Sequence, residues 1–349
     1  MKRISIKDVA ALAGSSPATV SKVLTGMPDS RIPEETAQRV RQAARQLRYV
    51  PLSLAQQLRH KRTQTIAILL PELLPFTSDI THGIQARATA GGLTTILGLH
   101  GHDSAVEAQH LRLGLRGQVD GLIIAPAYHN RNHHIYAELK DRGVPFVLVD
   151  NDLSGCEAPY VGLRNEETAY HLTRTLIAQE ATLIGGIFGG GITLDNPGGS
   201  TALYERFLGY RRALAEARLP DDERLCVPQP GEGPDEMFVR LMTSQPAIDG
   251  VLWGSYQFIQ PTLNWLAAQG MHVPGDLRFT GFDKVLLALS TAEDYQGLQV
   301  IREPWPAAVQ PGYEIGVRAM ELLKQAMVGN QPKERQRILL PPHYEGVTQ

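Results

Sequence analysis

Two aspartates stand where apolar runs end. Asp150 closes the run Val144-Pro145-Phe146-Val147-Leu148-Val149, and Asp283 follows Thr280-Gly281-Phe282. Carboxylates at the carboxyl ends of buried strands lie where open α/β sheets hold ligands. As pure acceptors they suit a ligand rich in hydroxyl groups. Other reactive residue types fall in patterns without a chemical partner. Cys156 and Cys226 give neither a disulfide framework nor a metal spacing and read as small buried hydrophobes. Gly189-Gly190-Gly191 lacks the spaced glycines and helix start of a dinucleotide site. His129, His133 and His134 share the polar loop Tyr128 to His134, which does not read as a metal site. No Ser/His/Asp or Cys/His set has a nucleophile setting. No catalytic residue, metal or cofactor is therefore expected, and the chain does not read as an enzyme.

The elements that must position the aspartates alternate strand with helix. Strands are predicted at Ile66 to Leu70, Thr94 to Leu99, Gly121 to Pro126 and Val144 to Asp150. Helices are predicted between them, over Thr77 to Ala90, Val106 to Arg116 and Ile135 to Arg142. A second series begins near Glu166, with strands at Ile184 to Phe188, Gly250 to Trp253 and Arg278 to Gly281. Continuous apolar strands between helices indicate parallel sheets covered on both faces. Two such α/β halves joined by crossing segments leave a cleft between them.

Charge separates the first residues from this body. The net charge of −2 conceals twelve Lys or Arg against four acids in residues 1–62, a local +8, and −10 in the remainder. A basic head on an acidic body is the footprint of a module that meets a phosphate backbone. The 43% apolar content suits a globular chain, and no apolar run approaches the ~20 residues of a membrane span. Met1 to Ser5 leads into Lys7 and Asp8 rather than an apolar stretch, so no secretory signal is expected, and a cytoplasmic protein is.

Within the head, Ile6, Val9, Ala10 and Ala13 recur at helical spacing, and Gly14 stops the helix where positive φ costs least. Ser16 is placed to cap a second helix, with Pro17 at its first position, running to about Leu24. Val20, Val23 and Leu24 face inward. A third helix spans roughly Glu34 to Leu47, with Thr36, Val40, Ala43, Ala44 and Leu47 as its apolar stripe. Helix, glycine turn, short helix and longer helix read as an all-α helix-turn-helix unit.

The wording of this segment, Ile6-Lys7-Asp8-Val9-Ala10-Ala11-Leu12-Ala13-Gly14 through Thr19-Val20-Ser21-Lys22-Val23-Leu24, closely resembles the DNA-binding head of the lactose/galactose repressor (LacI/GalR) family. Tyr49-Val50-Pro51 and Leu54-Ala55-Gln56-Gln57-Leu58 match it too, and the resemblance runs along almost the whole chain. It implies a helix-turn-helix domain at 1–50, a hinge at 51–63, and at 64–349 a body like periplasmic sugar-binding proteins. The body's two subdomains are expected at roughly 64–162 with 304–330 and 163–303 with 331–345.

The resemblance also assigns roles. Pro17, Ala18 and Lys22 match the base-reading positions of the second helix. The first two offer only apolar contact, whereas Lys22 can donate to guanine. Thr19, Ser21, Thr25 and Tyr49 suit phosphates, which fix register without reading sequence. Leu58 matches a leucine that wedges into the minor groove from paired hinge helices, with Ala55 beside it and Arg59, Lys61 and Arg62 against the backbone. A hinge helix this short is unstable alone. Arg206 matches an arginine that holds a polar ligand, and Phe76 and Trp305 match walls for the C–H faces of a sugar ring. The family's Asn-Asp pair after the Gly250–Trp253 strand is Ser255-Tyr256 here. Arg164 replaces a frequent acid, and Glu303 a frequent glutamine. Arg164 together with Arg206 would favour an anionic ligand.

The implied protein is a homodimeric repressor-type regulator of double-stranded operator DNA, controlled by a small molecule: a sugar, sugar phosphate or sugar acid. The chain stops soon after Ile338 to Leu340 without a coiled tail, so a dimer is expected over a tail-tethered tetramer. A solute-binding protein would require a secretion signal and has no use for the basic head. A sugar-modifying enzyme would require the missing phosphate loop.

Overall fold

The computed structural model describes residues 4–24, 32–49, 62–128, 131–189, 199–229, 232–255, 259–283, 301, 304–329 and 334–347. The expected roles of Thr25, Ala55, Leu58 and Arg59, and the departures at Tyr256 and Glu303, fall outside these residues. The chain separates into two compact units, 1–63 and 64–349.

The first unit holds α1 (Ile6–Ala13), α2 (Pro17–Leu24) and α3 (Glu34–Gln46). At the start of α1, Ser5 N donates to Asp8 Oδ2 at 2.7 Å, satisfying an amide that the helix leaves orphaned. Gly14 ends the helix in the left-handed region at φ +58°, where a Cβ would be strained. Thr19 N then donates to Ser16 Oγ at 3.1 Å, the cap the sequence anticipated. Val9, Ala10, Ala13, Val20, Val40, Ala43 and Ala44 form the core. The stripe of α3 is shifted slightly from expectation: Ala37 is buried, and Thr36 and Leu47 are half-buried.

The second unit contains two sheets. The first is all parallel, in the order β10-β5-β4-β3-β1-β2. Its strands are β1 (Thr65–Leu70), β2 (Thr94–Leu99), β3 (Gly121–Ile124), β4 (Phe146–Val149), β5 (Tyr160–Leu163) and β10 (Arg337–Leu340). On β1 the residues alternate between two cores: Ile66, Ile68 and Leu70 face one, and Ala67 and Leu69 the other. Both faces are therefore covered, as a parallel sheet requires. The covering helices are α4 (Pro75–Ala90), α5 (Ser104–Leu115), α6 (His133–Asp141) and α11 (Gly312–Met327).

The second sheet is ordered β11-β9-β8-β7-β6, with only β11 antiparallel. Its strands are β6 (Ile184–Ile187), β7 (Gly250–Trp253), β8 (Arg278–Phe282), β9 (Ala307–Val309) and β11 (His343–Glu345). Helices α7 (Asn165–Ala178), α8 (Thr201–Ala217), α9 (Pro234–Ser244) and α10 (Ile259–Gln269) belong to this lobe.

The pairing redistributes two segments relative to the expected boundaries. Residues 304–330 do not belong together: β9 extends the second sheet beside β8 (Gly281↔Ala307), while α11 packs on the first lobe. Likewise, β10 lies beside β5 in the first sheet (Arg337↔Tyr160), and only β11 returns to the second. Among the described residues the chain thus crosses between the lobes three times, around Arg164, Gln310 and Pro341-Pro342.

Candidate effector cleft

The carboxyl ends of the two sheets face one cleft that opens to solvent. The first lobe contributes Pro71 and Glu72 after β1, Phe76 and Thr77 from α4, His102 after β2, Tyr128 after β3 and Asp150 after β4. The second lobe contributes Ser200, Ala202, Leu203 and Arg206 around the start of α8, and Ser255 after β7. Gln310, at the second crossing, completes the lining.

Arg206 is the centre of this arrangement and is 4% exposed. Its Nε donates to Asn165 Oδ1 at 2.8 Å, Nη1 to the Gly254 carbonyl at 2.6 Å, and Nη2 to Gln310 Oε1 at 2.8 Å. The guanidinium lies 3.8 Å from the centroid of the Phe282 ring. Three good acceptors and an aromatic face fix its plane, which suits a group that must orient a ligand. Burial lowers its pKa, while Asp150 and Asp283 oppose that shift.

The two aspartates share one local geometry. Each follows the last residue of a strand and holds φ +61°, the left-handed region that few non-glycine residues occupy. Such conformations persist where surrounding structure over-determines them, often at ligand sites. Burial raises the Asp150 pKa; Arg206 lowers it and Asp283 raises it further. Asp283 does not line the cleft directly. It accepts from Gln310 N at 2.9 Å and Gln310 Nε2 at 2.6 Å, so it reaches Arg206 through Gln310.

Tyr128 and His102 form a wall that sequence reasoning missed. Their rings stack at 3.7 Å and 21°, and Tyr128 N lies 3.4 Å from His102 Nδ1. Burial pushes the Tyr128 hydroxyl up to about 12, with Asp150 adding to the shift. It therefore stays protonated and can donate. Burial, with help from His100, pushes His102 down to about 4, so the imidazole is neutral at pH 7. The loop carrying Tyr128 is held from beneath: Ala127 N, Asn132 Nδ2 and Tyr136 Oη all donate to the fully buried Glu107, and His100 Nε2 meets the Ala125 carbonyl.

Four of the six expected effector residues, Phe76, Asp150, Arg206 and Ser255, line the cleft, and Asp283 stands behind it. Trp305 does not line it. Its ring packs edge-on against Phe279 at 5.7 Å, inside the second lobe's core. Arg164 is exposed and pairs with Glu167 at 3.5 Å, so the expected partnership with Arg206 is not formed. Besides Tyr128 and His102, Ser200 and Gln310 were not anticipated. Tyr128 and His102 follow strand ends, the rule that found Asp150, whereas Gln310 follows a three-residue strand with no periodicity to read. In the head, Pro17, Ala18 and Lys22 are exposed on α2, and Thr19, Ser21 and Tyr49 are half-buried.

A model of bacterial regulatory proteins of the lacI family matches residues 5–52, and one of the periplasmic binding protein domain matches residues 74–331. The chain belongs to the LacI family. It is accordingly a DNA-binding transcription regulator with an effector-binding body, not an enzyme. This LacI-family chain is 28% identical to catabolite control protein A of Priestia megaterium over 97% of both chains. It is 26% identical to the HTH-type transcriptional repressor CytR of Escherichia coli (strain K12), over 96% of this chain and 93% of that one. Among solved structures, a complex of the regulator CelR with cellobiose aligns over 99% of both chains, with 27% identity and a TM-score of 0.68. The lac repressor dimer bound to operator shares the fold, at TM-score 0.75 and 20% identity over 98% of both chains. Among the described residues no cluster of three or more His, Cys, Asp or Glu is arranged for a metal, and His129 falls outside them. No described helix is long and apolar enough to cross a membrane.

Proposed function

We propose that the cleft binds an uncharged, hydroxyl-rich ligand of the sugar class and that its occupancy sets the affinity of a homodimer for operator DNA. The observation that carries the ligand class is the charge balance around Arg206. Among the described residues of the lining Arg206 is the one guanidinium, facing Asp150, with Asp283 behind Gln310 and Glu72 on the rim. A phosphate or carboxylate entering there lies beside buried carboxyls whose pKa values are already raised, so a further negative charge is disfavoured. Hydroxyls, by contrast, can donate to Asp150 and accept from Tyr128 and Arg206. Sugar phosphates and sugar acids, which a pairing of Arg164 with Arg206 would favour, fit this cleft less well. The cellobiose bound by CelR is an uncharged sugar.

A thermal-shift panel of cellobiose, glucose, glucose 6-phosphate and gluconate tests the class. A neutral member that binds stabilises the fold by about 2.7 kcal/mol at a hundredfold excess over Kd. Stabilisation confined to the phosphorylated and acidic members would overturn the reading.

In the head, Pro17, Ala18 and Lys22 read bases, and Thr19, Ser21, Thr25 and Tyr49 hold phosphates. Ala55, Leu58 and Arg59 act from the hinge in the minor groove. Two heads address a two-fold symmetric site, so the working unit is a homodimer in the cytoplasm. The exposed apolar edge of β2 supports a second copy as the partner. Ile96, Leu97 and Leu99 on this strand are 44%, 39% and 44% exposed, and an unpaired apolar edge strand is a liability unless covered. The ligand can shift operator affinity only by its own difference in affinity between the two body states.

A further inference from the structure

Behind the cleft, a directional chain of hydrogen bonds leads from Arg206 out of one lobe and into the other. Arg206 Nε donates to Asn165 Oδ1 at 2.8 Å. Asn165 Nδ2 donates to Glu205 Oε2 at 3.3 Å, and Glu205 Oε1 accepts from Arg337 Nη2 at 2.8 Å. Asn165, Glu205 and Arg206 belong to α7 and α8 of the second lobe. Arg337 belongs to β10 of the first, and its Nε lies 3.4 Å from Asp152. Glu205 thus accepts one donor from each lobe.

The direction of this chain has a chemical cause. An asparagine amide can face either way, and turned over it would present an NH₂ group to the Arg206 N–H. A carboxylate only accepts, so Glu205 draws Nδ2 towards itself and leaves Oδ1 for Arg206. Arg337 in turn balances the Glu205 charge, which is about a quarter exposed. Two further contacts join the same two lobes, between the start of α8 and the loop after β4: Ser200 Oγ donates to Asn151 Oδ1 at 2.7 Å, and Asp152 N to Thr201 Oγ1 at 2.8 Å. Losing Glu205 would therefore loosen the closure without abolishing it.

We propose that Glu205 is a positioning residue of the effector cleft: through Asn165 it sets the plane of Arg206, and through Arg337 it holds the two lobes closed. Its role in the cleft rests on the effector reading above; the interlobe contact does not depend on that reading.

The test uses the full chain without ligand, with bioorthogonal spin labels at the exposed positions Lys140 on α6 and Ala215 on α8. Glu205→Gln and Arg337→Met are expected each to lengthen and broaden the distance between the labels. The double variant should add little to either single one, and Arg337→Lys should stay near the parent. Raising salt from about 0.1 M to about 1 M shortens the screening length from roughly 10 Å to roughly 3 Å. It should widen the parent distribution and leave Glu205→Gln unchanged. In parallel, the Arg206 Nε proton, followed by ¹⁵N NMR, should exchange with solvent severalfold faster in Glu205→Gln. Thermal melts establish that the variants fold. Unchanged distances in both single variants, additive effects in the double variant, or unaltered Arg206 exchange would each overturn the proposal. A failure of every sugar to bind would leave these readouts unaffected and would count against the effector reading alone.

Discussion

Lys22 and His102 show how single residues carry separable predictions. Lys22 is exposed on α2, and a lysine that meets a guanine edge contributes discrimination of roughly 1–3 kcal/mol. Lys22→Ala should therefore weaken binding to operator more than to random duplex in gel-shift titrations, and equal losses on both would refute base contact. His102 links the cleft wall to pH. Its folded pKa of about 4 lies below the ordinary 6.5, so between those values the unfolded chain takes up the proton more readily. Its contribution to stability is complete above pH 6.5 and is lost as the pH falls towards 4. Buried His100, whose pKa is also lowered, acts in the same sense. Melting temperature against pH should fall across this window and fall less steeply in His102→Gln. At this scale the sequence was partly readable. Asp150 and Asp283 announce themselves as acids at the ends of apolar runs. Trp305, an aromatic near the second crossing, gives no sign that its ring turns into the core against Phe279.

Among the elements, the close helix pairs are set by glycines. A Cβ on Gly209 of α8 would lie 2.0 Å from the Glu166 carbonyl of α7, and one on Gly316 of α11 would lie 2.1 Å from the Ile80 carbonyl of α4. Backbone cannot yield as a flexible side chain can, so the helices themselves must part. Gly209→Ala and Gly316→Ala should each cost about 1–3 kcal/mol, measured by urea denaturation. Gly209→Ala should also weaken ligand binding, because α8 carries Arg206 three residues earlier. Elements with strong local signals were legible: the head helices through Gly14 and Ser16, and β1 through its unbroken apolar run. The strands β5, β9 and β11 were not, because Tyr160–Leu163, Ala307–Val309 and His343–Glu345 carry no unbroken run of bulky aliphatic residues like that of β1. Missing β9 hid Gln310, and with it the route by which Asp283 reaches the cleft.

For the whole molecule, the decisive quantity is the association of two copies. If β2 is the covered edge, Leu97→Lys should shift sedimentation from dimer towards monomer and lower operator affinity, while sugar binding by the isolated chain persists. A variant that remains dimeric at micromolar concentration would move the interface elsewhere.

The two last strands have a consequence for how this protein is made. β10 completes the edge of one sheet and β11 that of the other, yet both lie downstream of every other strand in the two sheets. A ribosome must therefore read through all the other strands before either sheet acquires its outermost hydrogen-bonded neighbour. The β5 flank stays open while β6 to β9 of the second lobe are synthesised, a window in which chaperones, rather than small molecules, are the natural company.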